Sequence, residues 1–295
     1  MNFENLNFVF GENPSQKVYI ESNDKTIDYN IKGSLTYIQF LSVVKGLSLI
    51  SEFYDVNAAC TVKGTGVCAV ALGQSISDAV PKIIDSNPID FMDAVVLIST
   101  EVDSETARFF KASNIIVAPK FTKNAIEYLE NKNITYISIN TALKDYKTYL
   151  SNEIKVTPLG TITQTPNISE LTKDSFKVVT LIKPTVEQIE DAVFAWKVAK
   201  HCTSQAIVVA KDLKTTAIAQ GLLTASVEFA LDYSCDMSKD AILASDMPIT
   251  QHDLNVASQG RIALIIVPFA DNCLIELANK YNISIITTGF TNILY

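Results

Sequence analysis

Ala58 to Ser75 reads AACTVKGTGVCAVALGQS. An apolar strand ends on one lysine, Lys63, and enters a glycine-containing turn before a second apolar run begins. No other stretch sets a lone charged side chain at the end of a buried element in this way. Any chemistry in this chain is expected to start at Lys63.

Outward from that stretch, strands and helices alternate. Cys60 to Val62, Val95 to Ser99, Ile115 to Ala118 and Ile134 to Ile139 read as short buried strands. Glu105 to Lys111 and Thr122 to Asn131 read as helices between them. Short apolar strands separated by helices predict an α/β fold, with mostly parallel sheets covered on both faces in three layers. Upstream, Gly11-Glu12-Asn13-Pro14 is a turn signal between β-like runs at Phe8 to Phe10 and Lys17 to Glu21, and Ser34 to Phe53 carries a helical apolar pattern. Tyr146 to Asp174 is polar and reads as a connection. After a β-rich run at Phe176 to Thr180, Thr185 with Gln188 fits a capping box. It opens a helix whose apolar face is Val186, Ile189, Val193 and Trp196.

The second half then repeats the first. NIIVAPKFTKNAIEYLENKNITYISI, from Asn114, aligns with ALIIVPFADNCLIELANKYNISIITT, from Ala263, at an offset of about 149 residues. DAVVLIS from Asp93 resembles DAILASD from Asp240, and AVALGQS from Ala69 resembles AIAQGLL from Ala217. A duplication of this length predicts two similar α/β units rather than a solenoid. The expected division is a first unit over 1–150 with an N-terminal extension, a connection over 151–175 and a second unit over 176–295.

Composition narrows the function classes. The chain has 295 residues, 48% of them hydrophobic, and a net charge of −8 with no lysine or arginine run. An acidic chain without a basic stripe is a poor candidate for nucleic acid. Its five cysteines show no C-x-x-C spacing and sit among apolar neighbours, which suits free thiols in a reducing compartment. Two histidines, His201 and His252, make a thin case for zinc, so no metal is expected. MNFENLNFVF lacks the basic start of a signal peptide, and the longest apolar run, Ile262 to Ala270, is too short to cross a bilayer. A soluble cytoplasmic protein is expected.

FGENPSQK, VKGTGVC, FAWKVAKHCTSQAIVVAKD and AILASD, in this order and at these separations, resemble the transformylase domain of the bifunctional purine-synthesis enzyme, aminoimidazole carboxamide ribonucleotide formyltransferase. The resemblance covers essentially the whole chain and suits a compact form of that domain. It implies two tandem cytidine-deaminase-like units, a homodimer with active sites between subunits, and nucleotide and folate substrates. It also implies formyl transfer from 10-formyltetrahydrofolate, as co-substrate, to a weakly nucleophilic ring amine. Such chemistry needs a base for the amine proton, a cation or donors for the oxyanion, and alignment of two large substrates.

Residue by residue, Lys63 falls on the family's lysine, while its histidine position is Gly64. Gln205 takes the place of a catalytic asparagine and keeps the amide one methylene further out. Val9 and Phe10 stand where the family has Arg-Tyr before the GENP turn. The family's Gly-Gln-x-Ser-Arg stretch is Gly221-Leu222-Leu223-Thr224-Ala225, and its double glycine is Met92-Asp93. Asn13 in the retained turn, Gly64, Gly221 and the retained Asp253 are carried over as ligand-side positions, with Asp253 toward the folate.

Plainer readings stand beside these. Lys63 competes with a solvent-facing lysine at a strand end. His252, in the loop that reaches substrate in relatives, is a candidate replacement base or a solvated histidine. His201 is expected to meet the last carbonyls of its helix. Gly64-Thr65-Gly66 is a tight turn before it is an anion cradle, and Glu187, Glu190 and Asp191 read as a solvated acidic face. Trp196 and Phe194 read as core, and Cys68 as a packed thiol. Two functions follow: a formyltransferase of purine biosynthesis or of a drifted related substrate, and a non-catalytic paralogue acting as a binding, regulatory or partner subunit.

Overall fold

The computed structural model describes residues 6, 8–21, 23, 25–171, 175–222 and 225–295. Its first regular elements are β1 (Tyr29–Lys32) and α1 (Tyr37–Ile50), the helix opened by a capping box between Thr36 and Gln39 and extended by a 3-10 turn over Ser51–Phe53. The runs Phe8 to Phe10 and Lys17 to Glu21, expected as β-like, are not strands. The turn between them closes on itself through Gly11 N–H to Gln16 O, 2.9 Å, and neither run is paired in a sheet.

The stretch around Lys63 is a hairpin of β2 (Asn57–Lys63) and β3 (Gly66–Gly73). Gly64 and Thr65 turn it, at φ +54° and +71°. Two positive φ values suit a two-residue turn whose twist matches the strands. Thr61 pairs with Ala69 and Val62 with Val67, so Cys68 is an extra residue, a β-bulge.

Next come α2 (Ile76–Ser86), α3 (Pro88–Phe91), β4 (Val95–Ile98), β5 (Glu101–Val102) and α4 (Ser104–Ala107). The helix expected over Glu105 to Lys111 is only this single turn. After it run β6 (Ile115–Ala118), β7 (Lys120–Phe121), α5 (Lys123–Asn131) and β8 (Thr135–Ile139). The expected connection carries a 3-10 segment, Leu143–Tyr149, and an exposed ribbon of β9 (Glu153–Thr157) and β10 (Gly160–Gln164).

The second half contains β11 (Lys177–Val178), α6 (Val186–Ala199), β12 (Ile207–Lys211), β13 (Lys214–Ala219) and α7 (Ser226–Ser234). It ends with β14 (Ile242–Ser245), α8 (Gln251–Gln259), β15 (Leu264–Val267), α9 (Asn272–Tyr281) and β16 (Ser284–Thr287). The Thr185–Gln188 capping box opens α6 as its spacing requires. The β12–β13 hairpin matches the first: a two-residue turn at Asp212 and Leu213, φ +54° and +56°, and a bulge at Thr216.

All principal strands join one sheet, in the order β1-β8-β6-β4-β2-β3-β13-β12-β14-β15-β16-β11. This corrects the expectation of a mostly parallel sheet in each half. Among the described strands seven of the eleven junctions are antiparallel and four parallel, the parallel ones being β4–β6, β6–β8, β14–β15 and β15–β16. A hairpin is antiparallel by construction, and here two hairpins meet at the centre while a reversed strand closes each edge.

Alternation along the strands sends side chains to opposite faces. Cys60, Val62, Leu97 and Val117 join α1 and α6, with Trp196 and Phe194 buried, in one core shared by both halves. The other face has two cores, α2 with α5 over the first half and α7 to α9 over the second.

Two polar residues differ from expectation. Asp191 is buried and accepts from the amides of Asp212 and Leu213, at 3.0 and 2.7 Å, so it braces the second hairpin turn rather than facing solvent. His201 is buried too, with Nδ1 3.3 Å from Ser48 Oγ and Nε2 3.5 Å from Glu52 Oε1. Packing of α6 across α1 directs it to these groups, not to helix carbonyls. Glu52 also pairs with Lys200 at 2.8 Å and Lys147 at 3.3 Å.

Burial alone would raise the Glu52 carboxyl, but contacts from His201 and Lys200 hold it well below the usual carboxylate range. Burial pushes His201 below its ordinary 6.5, against the opposing pull of Glu52. Both depressions mean that the unfolded chain takes up protons first. Stability is therefore full above about pH 6.5 and falls as pH drops, first through His201 and then, below the ordinary carboxyl range, through Glu52. The melting temperature is expected to fall between pH 7 and pH 5, and by less in His201→Gln. Lys200→Ala, which leaves Glu52 buried beside one fewer cation, should cost about 3–5 kcal/mol in denaturant unfolding.

Candidate functional site

Lys63 ends β2 beside the bulge at Cys68, and bulges commonly re-aim side chains next to sites. Its ammonium Nζ lies 3.5 Å from Asp90 Oδ1 and 4.0 Å from Asp93 Oδ2, with the lysine side chain 39% exposed. Asn87 and Pro88 explain how Asp90 arrives there. Asn87 caps α3, Pro88 takes its first turn, and the Asn87 carboxamide accepts from Asp90 N–H at 3.1 Å and donates to Asp90 Oδ2 at 3.0 Å.

Lys63 and Asp90 line a cavity of about 330 Å³ across the seam between the two halves. From the first half come Cys68, Ser86 and Asn87; from the second come Ala217, Gln220 and Tyr233. Gln220 ties the halves together: its Nε2 donates to Val67 O at 2.8 Å and its Oε1 accepts from Thr203 N–H at 3.3 Å. Ser86 Oγ donates to Thr215 O.

Of the catalytic and ligand-side residues expected from sequence, Lys63 alone lines this cavity; Cys68, read as a packed thiol, and Gly66 of the turn line it too. Gly64 adjoins it in the turn, and a Cβ added there would meet nothing within 4 Å. Gly221, at φ +71°, follows Gln220 and donates its N–H to Thr203 O at 2.9 Å. Gln205 is half-buried two residues beyond Thr203, on the same side of the seam. Asn13 is exposed in the N-terminal turn and bonds Gln16. His252 Nε2 is 2.7 Å from Glu228 Oε1, with its side chain 73% exposed. Asp253 completes a capping box on α8, its Oδ2 accepting from Thr250 N–H at 2.7 Å and Thr250 Oγ1 at 2.8 Å. The expected positions Leu223 and Thr224 lie outside the described residues.

Sequence reading missed Asp90, Gln220 and Tyr233. The Asn-Pro-x-Asp spacing of a helix cap was a usable signal for Asp90; Gln220 and Tyr233 carry none. Among the described residues no group of three or more His, Cys, Asp or Glu could hold a metal, and no helix is long and apolar enough to cross a membrane.

Cys68 is shielded by burial and by the Asp90 charge, which push its thiol up to about 12. Cys202 is pushed up to about 12, chiefly by burial, and Cys60 is raised likewise. A thiol so raised holds little nucleophilic thiolate at neutral pH.

The arrangement is thus a lysine-bearing cavity at the join of two hairpins in an α/β protein. Residues 2–231 match the family model described as AICARFT/IMPCHase bienzyme, and the chain belongs to that family. It is 33% identical over 297 residues to the bifunctional purine biosynthesis protein PurH of Caldicellulosiruptor bescii, and likewise 33% to that of Caldicellulosiruptor saccharolyticus. With the PurH of Acetivibrio thermocellus it is 32% identical over 298 residues. Each match covers 95% of this chain and 57% of the relative, so the chain spans little more than half the length of these proteins.

Iodoacetamide at pH 8 should alkylate Cys235 and Cys273, which are exposed, and spare Cys60, Cys68 and Cys202 in the folded protein. Peptide mass spectrometry reads this directly, and rapid labelling of Cys68 would contradict a shielded thiol.

Proposed function

We propose that this chain is a formyltransferase-type protein of purine biosynthesis. It would move the formyl group of 10-formyltetrahydrofolate to the amine of aminoimidazole carboxamide ribonucleotide or of a related acceptor. The observation that carries this reading is that Lys63, which the sequence resemblance sets on the family's lysine position, lines a cavity between the two hairpins. The amine nitrogen bonds to the formyl carbon, the carbonyl oxygen becomes an oxyanion beside the Lys63 ammonium, and the adduct collapses with cleavage of the carbon–nitrogen bond to the folate as the amine proton passes, by way of water, to the departing folate nitrogen. A preplaced cation is effective for such a charge because it needs no reorganisation. Gln205 would orient the formyl or carboxamide group. Asp253, with Oδ2 engaged by Thr250, would face the folate through Oδ1.

The reading extends to architecture. The matching hairpins, and the β6-α5-β8 and β15-α9-β16 segments some 149 residues apart, support two duplicated cytidine-deaminase-like units divided at 1–150, 151–175 and 176–295. A homodimer in the cytoplasm would let Asn13, His252 and Asp253, which lie away from the Lys63 cavity, act at a partner's site.

A second reading, a non-catalytic binding, regulatory or partner subunit, is favoured by a specific observation. Gly64 supplies no imidazole, and no histidine lines the cavity among the described residues. Loss of a general base commonly costs ~10²–10⁴-fold in rate.

Turnover of 10-formyltetrahydrofolate with the ribonucleotide tests the first reading, with Lys63→Ala expected to abolish it. Gly64→His has open space around it, and its left-handed backbone costs about 1–2 kcal/mol. That variant should still fold and raise the rate tenfold or more, best together with Gln205→Asn. No transfer in any of these proteins would leave the binding-subunit reading.

A further inference from the structure

We infer that Asp90 is the general base of this site, the carboxylate that takes the proton of the acceptor amine in place of the imidazole that Gly64 does not supply. The inference rests on the reading of the Lys63 cavity as the place of formyl transfer.

Elimination and geometry meet on this residue. Among the described lining residues few side chains could accept a proton. Cys68 and Tyr233 keep theirs: burial and the Asp90 charge push the thiol up to about 12 and raise the phenol as well. Asn87 and Gln220 end in amides, which are not bases at neutral pH. Ser86 Oγ spends its proton on Thr215 O. His252 pairs with Glu228 and does not line the cavity. Asp90 is left.

Its placement fits the task. Oδ1 lies 3.5 Å from Lys63 Nζ. The oxygen and nitrogen of one tetrahedral carbon are two bonds apart, so an adduct with its oxyanion at Nζ brings its amine within reach of Oδ1. The carboxylate is also fixed. Asn87 Nδ2 donates to Asp90 Oδ2 at 3.0 Å, and Asn87 Oδ1 accepts from Asp90 N–H at 3.1 Å. A base oriented by a third group is the usual arrangement at activated sites.

The charges balance through the step. The amine nitrogen attacks the formyl carbon, the carbonyl electron pair moves to oxygen, and the amine proton passes to Asp90 Oδ1. Asp90 becomes a neutral acid as the oxyanion forms, so the carboxylate nearest Lys63 loses its charge when the ammonium is needed by the oxyanion. Asp93 keeps its charge, at 4.0 Å from Nζ, but its side chain is 66% exposed and water screens it. On collapse the carbonyl re-forms and the bond to the folate nitrogen breaks with its electron pair on that nitrogen. Asp90 then releases the proton through water to the same nitrogen and regains its charge.

Transfer from 10-formyltetrahydrofolate to aminoimidazole carboxamide ribonucleotide by the full chain tests the inference, alongside calorimetric titration of the ribonucleotide. Asp90→Asn keeps the side chain's size and an acceptor for Asn87. Its kcat should fall ~10²–10⁴-fold, the usual worth of a general base, with no weakening of ribonucleotide binding. Asp93→Asn, the charge control, should stay within about threefold of the unmodified rate. In the Gly64→His background an imidazole can take the proton, and Asp90→Asn should then cost less than about tenfold, the non-additivity of two groups with one task. An Asp90→Asn protein as fast as the unmodified chain would overturn the inference and leave the enzyme reading intact. So would an equal loss in both backgrounds, which marks a structural role, or transfer by Gly64→His with none by the unmodified chain. No transfer by either would sink the enzyme reading, and the inference with it.

Discussion

The seam between β3 and β13 holds the two halves together, and the candidate site exists because of how it is made. Only Lys214 and Ala71 pair there by strand register. Thr215 supplies what the ladder lacks: its hydroxyl accepts from Val70 N–H at 3.0 Å and donates to Val70 O at 3.2 Å. Leu72 N–H reaches Leu213 O at 2.9 Å, and Gln220 bonds Val67 O. Bulges at Cys68 and Thr216 bend the two central strands, and a bent pair cannot keep a regular ladder. Where backbone pairing gives way, side chains such as Gln220 span the gap and a cavity opens beside Lys63.

Two lysines show how burial divides a locked charge from an exchangeable one. Lys200 and Glu52 are both nearly sealed from water, and Lys200 also donates to Ser169 O at 2.5 Å. Such a pair is strongly coupled to folding, because breaking it strands a charge where water cannot reach. Lys63 is half-exposed beside carboxylates that are exposed as well, so its contacts are weak and can be exchanged for a ligand's. The buried pair joins α1 to α6 within the shared core, while the exposed lysine faces the seam on a bulged hairpin. The same residue type is locked in the core in one place and left exchangeable beside a cavity in the other.

The charge around Lys63 also bears on what the family's scaffold does here. Gly64, next to the lysine in the chain, carries no side chain, and Asp90 and Asp93 give Lys63 acidic neighbours.

Much of this was legible without coordinates wherever the cause is local. Thr185 with Gln188 announced a capping box, and the apolar run Ile115 to Ala118 announced a strand. Lys63 was found because a charge ending an apolar strand stands out in one dimension. Gln220 meets Val67 from 153 residues away, and Asp90 meets Lys63 from 27 away through a separate short helix. The burial of His201 and Asp191 likewise came from which helix crossed which, not from their own neighbours in sequence. Periodicity, caps and turns are set by residues a few places apart, so the chain alone determined most of its elements and the position of its lysine, though not the runs at Phe8 and Lys17, which find no strand partner. Which carboxylates, amides and rings surround that lysine was decided only when the two hairpins packed edge to edge, since contact across a sheet has no signature in local sequence.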